Sequence, residues 1–210
     1  DNLEYLKKTK GFSNITYYCM ANELSLGEWA SMTKDLDFFK KIQFFDVPPR
    51  EFEMVDITFQ AIVSASNFAQ LKRHRMATLL SGPYVPEWGN TVPESIINSG
   101  LENEFNRIIE IGNLAYNKIY EKLGTAADYV LTNSHNRCIL MKMNLREMYH
   151  FIRLRDDEHA QWDIRALAHS ISEKIKSLMP LTAMMLCGKS AFSEEYIKIF
   201  ACPPQGEPVK

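Results

Sequence analysis

Residues 144 to 165 read NLREMYHFIRLRDDEHAQWDIR, a run too polar for a plain core helix. At 3.6 residues per turn, Arg146, His150, Arg153 and Asp157 form one stripe, and Asn144, Phe151 and Arg155 fall on a neighbouring one. The result is a basic surface with a hydrogen-bonding edge. Two readings of Arg146, His150, Arg153 and Arg155 stand at this level. One is a solvated face ion-paired with Asp156, Asp157 and Glu158. The other is a phosphate or pyrophosphate site, because arginine offers a planar fork of donors matched to such oxygens.

Working outward, Arg137 to Met143 (RCILMKM) reads as a strand feeding this helix. On the other side, the acids at 156 to 158 suit the positive end of a new helix. Its apolar seam is Ile164, Leu167, Ala168, Ile171, Ile175 and Leu178, closed by Pro180. Apolar residues at 101, 105, 108, 109, 115, 116, 119 and 123 predict a long amphipathic helix with Gly124 as its stop, and residues 126 to 131 add a further turn. Phe52 to Val63 alternates as a half-buried strand, with Val55, Ile57, Phe59 and Ala61 on one face. It leads through Ser64, Ala65 and Ser66 into a short helix at Asn67 to Leu71, which delivers Arg73, His74 and Arg75. Three consecutive cations cannot all face one core. They are either an ordinary basic helix end or an anion contact. Ser81 to Pro93, with three prolines and two glycines, is a loop carrying Tyr84 and Trp88. Toward the N-terminus, residues 12 to 23 read as a strand, Ser25 with Glu28 as a capping box, and Asp35 to Ile42 as more helix ended by Pro48-Pro49. The expected fold is α+β, a small antiparallel sheet with long helices, as a single domain over residues 1–200 and a disordered tail over 201–210.

The composition narrows the chemistry. At 210 residues, 46% hydrophobic, 24% charged and a net charge of -2, the chain suits one soluble core and argues against a nucleic-acid module. No run approaches about 18 apolar residues, so no membrane span is expected and a cytoplasmic location is. Cys19, Cys138, Cys187 and Cys202 form no CxxC pair, and HExxH, GxSxG, P-loop and GxGxxG spellings are absent. No metal site is expected, and any reaction here is expected to rely on a borrowed cofactor. The chain opens at Asp1 without a methionine, as a domain excised from a longer protein would.

Taken together, the RHR at 73 to 75, the FE-x4-TF spelling at Phe52-Glu53 and Thr58-Phe59, and the N-x-R, HF, LR and HAQW-x-I-R pattern of residues 144 to 165 resemble the flavin-dependent thymidylate synthases. The likeness runs from about Pro48 to Pro180. It implies a homotetramer binding FAD between subunits, and reductive methylation of dUMP to dTMP with methylenetetrahydrofolate and NADPH. Carried over position by position, Arg73, His74, Arg75, Asn144, Arg146 and His150 match flavin contacts. Gln70, Ser81 and Arg155 match nucleotide-side positions, and Arg155 is the catalytic arginine set against the pyrimidine.

The chain also departs from the pattern. MATLLSGPY follows the RHR, where the resemblance implies a segment two residues longer with an Asn-Glu pair, and Pro83 stands in place of an arginine for the nucleotide phosphate. Asp128 takes the place of a second such arginine, and Pro48 that of a histidine. These changes leave open a second function: a catalytically impaired domain that keeps the fold, with or without flavin binding, and serves assembly or regulation beside a sister domain in a longer chain.

Overall fold

The computed structural model of the protein describes residues 15–18, 41, 43 and 46–204. The helix expected from Ser25, most of Asp35 to Ile42, and residues 205–210 of the tail lie outside them. The described strands are β1 (Ile15–Tyr18), β2 (Asp56–Ser64), β3 (Thr78–Ser81) and β4 (Asn136–Asn144), paired in the order β1-β2-β4-β3. β1 runs antiparallel to β2, with Ile15 opposite Ala61 and Tyr18 opposite Thr58. The α-helices are α1 (Ala65–Leu71), α2 (Glu94–Asn98), α3 (Glu102–Leu123), α4 (Leu145–Arg155), α5 (Trp162–Leu178) and α6 (Phe192–Phe200). This is the α+β fold with a small sheet that the sequence leads one to expect.

The chain divides into two compact units. One comprises residues 15–18, 58–73 and 78–141, and the other the described residues from 41 to 57 with 74–77 and 142–204. In the first unit, the Ser64 side chain accepts from the Asn67 amide and caps α1. The long helix α3 ends at Gly124, whose φ of 57° only glycine adopts without strain, and a 3-10 turn (Gly124–Val130) packs back against it. Although α3 has a wide apolar face, only Ile109 and Tyr116 on it are buried.

The second unit is built on α4, which packs against α5 and a 3-10 turn at Arg50–Met54. Leu145, Met148, Tyr149, Phe151 and Ile152 of α4 face a core shared with Phe52, Ile164, Ala168 and Ile171. Each Leu, Ile, Met or Phe side chain among them, removed from water, stabilises the fold by about 1.5–3 kcal/mol. Phe52 meets Tyr149 edge to face, with ring centroids 5.8 Å apart.

Four local outcomes differ from the sequence reading. Residues 52 to 54 form a 3-10 turn rather than the start of a strand, because both Phe52 and Val55 point inward, a spacing of three that strand alternation cannot satisfy. From Asp56 onward the alternation holds, burying Ile57, Phe59, Ala61 and Val63. β3 reaches into the segment read as loop, since its four residues are mostly exposed and show no apolar alternation. α2 and α6 were not expected. α6 carries Phe192, Tyr196 and Phe200 at four-residue spacing, and the Tyr196 and Phe200 rings lie 4.7 Å apart.

Candidate active site

α4 begins where Asn144 leaves the strand conformation and its side chain accepts from the Glu147 amide at 2.8 Å. This cap fixes the first turn of α4 and with it the direction of Glu147. His74, in the turn before β3, is 7% exposed. Its ring stands edge to face on Phe151, centroids 5.0 Å apart, and lies 6.3 Å from His150. Arg155, one turn further along α4 from Phe151, donates from Nε to His74 Nε2 at 2.9 Å.

That bond settles the protonation of the imidazole. A guanidinium Nε–H can only donate, so Nε2 must carry the lone pair, and the proton of a neutral ring sits on Nδ1. Nδ1 faces Glu147 Oε1 at 3.7 Å, a charge-to-dipole approach rather than a hydrogen bond. Burial, then the Arg155 charge, then His150 bring the His74 pKa down to about 4. At neutral pH the ring is therefore uncharged and the pair with Glu147 is not a salt bridge. Burial pushes the Glu147 carboxyl up, and His150 draws it back in part. Glu147, His74 and Arg155 thus form a carboxylate–imidazole–guanidinium series along one edge of α4.

The remaining cations of the opening stretch split by location. Arg146 donates to the Pro48 carbonyl at 2.8 Å and to Glu53 at 2.6 Å, tying α4 to the 3-10 turn. Arg153 donates to the Asp46 carbonyl at 2.7 Å. Its guanidinium is held below its ordinary pKa by burial. His150 and Arg75 are exposed, and among the described residues neither forms an ion pair. Asp157 is not on a solvated face: it is 2% exposed and accepts from the amides of His159 at 3.1 Å and Ser190 at 3.0 Å. Burial raises its pKa and these bonds outweigh that, leaving a net depression. Next to it, a Cβ on Gly188 would fall 1.8 Å from the Asp156 carbonyl oxygen, so the chain can return against the end of α4 only as glycine.

In the first unit, Gln70 is half-buried near the end of α1, Arg73 is exposed just after it, and Ser81 is exposed at the end of β3. The boundary between the units falls inside the RHR, after Arg73. Asp128 lies in the 3-10 turn after α3, where its charge adds to burial in raising the pKa of Tyr116; burial also raises that of Tyr84, Arg137 draws it back in part, and Asp128 adds a smaller upward push. Sequence reasoning overlooked Glu147, and it placed Phe151 on a helix stripe without foreseeing its contact with His74. The spelling Asn-x-x-Glu at 144 to 147 was the available signal for the first.

A buried, uncharged imidazole thus fixes an arginine at the end of α4. The family described as thymidylate synthase complementing protein matches residues 19–181, and the chain belongs to that family. The flavin-dependent thymidylate synthase of Geobacter sulfurreducens is 35% identical over 127 residues, covering 56% of this chain and 55% of that protein. That of Sulfurisphaera tokodaii is 33% identical over 123 residues, covering 53% of this chain and 46% of that protein. The UPF0159 protein of Thermoplasma acidophilum is 29% identical over 136 residues, covering 64% of this chain but only 27% of that protein. The chain thus spans between about a quarter and about half of these relatives' lengths. The resemblance carried by the RHR and the 144 to 165 stretch is borne out. Among the described residues, no helix is long and apolar enough to cross a membrane.

Proposed function

We propose that the protein is a cytoplasmic, FAD-dependent enzyme that reductively methylates dUMP to dTMP with methylenetetrahydrofolate and NADPH, working as a homotetramer. The observation that carries this reading is the Arg155–His74 bond. It joins, side chain to side chain, the residue matched to the pyrimidine and one matched to the flavin. The donors of the second unit suit a dinucleotide: Arg75 and His150 are exposed and outside any described ion pair, as groups meant for a pyrophosphate should be. When bound, the flavin supplies the hydride chemistry.

The chain's own groups do the positioning. His74, uncharged at neutral pH, accepts from Arg155 without competing for its charge, so the guanidinium keeps a full positive field for the uracil carbonyls. Glu147 orients His74, and Asn144 orients Glu147 by capping the helix. Arg146 braces α4 against Glu53 and Pro48, and the resemblance also sets it toward the flavin. With Pro83 and Asp128 at positions matched to phosphate-binding arginines, dUMP is held weakly: each missing charge-assisted contact is worth about 1.5–3 kcal/mol.

The test is the visible spectrum of the purified full chain, then titration with dUMP and release of tritium from C5-labelled dUMP. Bound flavin, a spectral response to dUMP and tritium release that Arg155→Ala abolishes are expected. A flavin-loaded protein that never exchanges the C5 proton refutes the activity and favours the assembly-domain reading. Absence of flavin at any stage of purification and reconstitution also refutes the activity and leaves the assembly-domain reading.

A further inference from the structure

Arg137, the second residue of β4, lies in the first unit and belongs to none of the roles above. Its guanidinium carbon is 4.5 Å from the ring centroid of Phe68 and 4.7 Å from that of Tyr84, so the cation packs against two aromatic rings. Its Nε is shut off from solvent and has no hydrogen-bond partner among the described residues. No carboxylate among them pairs with it, Asp128 included. Arg137 as a whole is nevertheless half-buried rather than buried. With Nε closed off and no carboxylate paired, the Nη groups are the donors left for a partner.

The surroundings hold the guanidinium still. The Tyr84 hydroxyl donates to the Thr132 carbonyl at 2.5 Å, and the Gly82 amide donates to the Cys138 carbonyl at 2.8 Å. A Cβ at Gly82 would come within 3.3 Å of that same carbonyl, so the loop sits close against β4. Asn136 secures the other side, accepting from Thr91 Oγ1 at 2.8 Å and donating to the Trp88 carbonyl at 3.3 Å. A cation withdrawn from water and left without a counter-charge is costly, and stacking offsets only part of that cost. A preorganised guanidinium of this kind matches the paired oxygens of a phosphate group.

We propose that Arg137, packed against Phe68 and Tyr84, is a binding site for a phosphate-type oxyanion, separate from the Arg155–His74 pair. The inference does not rest on the proposed activity. The probes are inorganic phosphate and ribose 5-phosphate, titrated into the full chain at low ionic strength and followed by calorimetry and phosphorus NMR, with ribose as the control. Arg137→Gln is expected to weaken phosphate binding by about tenfold or more, while Arg75→Gln and Arg155→Ala leave the Arg137-dependent component in place. Equal binding of both probes identifies the free oxyanion as the ligand class, and binding of ribose 5-phosphate alone identifies a monoester; either supports the site. Arg137→Lys keeps the charge without the fork and decides the matter if the glutamine variant does not fold: it should bind several-fold more weakly than the native chain. Absence of phosphate binding by the native chain, or equal affinity in a folded Arg137 variant, overturns the proposal.

Discussion

Acidification should unlock the second unit at His74. In the folded chain this ring holds a pKa of about 4, against the ordinary 6.5 expected once unfolded. Between those two values the unfolded chain binds a proton that the folded chain refuses, so stability rises with pH across the window. The contribution is fully present above about pH 6.5 and is lost as pH falls toward 4. At about 1.4 kcal/mol for each tenfold change in proton affinity, the fall from 6.5 to about 4 amounts to ~3 kcal/mol. His74 is almost fully buried, so solvent screening removes little of this. The groups facing it are Arg155 and His150, which oppose its protonation, and Glu147, whose raised pKa acts in the opposite sense as pH falls and offsets part of the loss. The assay is urea unfolding at a series of pH values from 7.5 to 4.5, comparing the native chain with His74→Gln, whose side-chain oxygen can still accept from Arg155. The native chain should lose ~2–3 kcal/mol more than the variant over that range. Parallel loss in both proteins would refute the argument, because the acid sensitivity would then lie elsewhere.

Three further outcomes are expected. Gly188→Ala forces a methyl group to 1.8 Å from a backbone oxygen and should cost more than ~3 kcal/mol, read as a large drop in the urea midpoint; a midpoint near that of the native chain would show that the Asp156 backbone gives way easily. Asp157→Ala strands the amides of Ser190 and His159 and should cost ~2–4 kcal/mol in the same assay, with Asp157→Asn recovering part of it. Asn144→Ala should cost ~1 kcal/mol through loss of the cap and Asn144→Asp little; equal losses in both would place the residue's importance outside helix capping.

α4 and α5 were legible because the information needed was local. A 3.6-residue apolar period lies within the 144 to 165 stretch and its continuation; the acids at 156 to 158, read as the start of α5, instead follow the end of α4, and α5 begins at Trp162 under a Gln161 cap. α3 was equally plain in outline, yet the burial of only Ile109 and Tyr116 was not, because periodicity reports which face is apolar and not what covers it. The central bond of the candidate site joins residues 81 positions apart, and no spacing rule reaches that far. Family resemblance brought His74 and Arg155 into view, but not Glu147 as the group behind the imidazole. Arg146 shows the same limit: its partners Glu53 and the Pro48 carbonyl lie more than 90 residues away. Asp157 read as a solvated acid because its two amide donors come partly from Ser190, 33 residues downstream.

That separation gives the end of α4 a history during synthesis. Tyr149 donates to the Thr182 carbonyl and Asp157 accepts from Ser190, each across 33 residues, and the Lys189 amide closes on the Arg153 carbonyl. A helix turn forms in about a microsecond or less, whereas a ribosome adding roughly 5–20 residues each second needs about 2 to 7 s to deliver the partners. For those seconds the nascent helix exposes a tyrosine and a carboxylate that the finished protein buries. A chaperone that screens emerging chains would meet Tyr149 and Asp157 before their partners exist, and a translational pause before Ser190 would lengthen that interval.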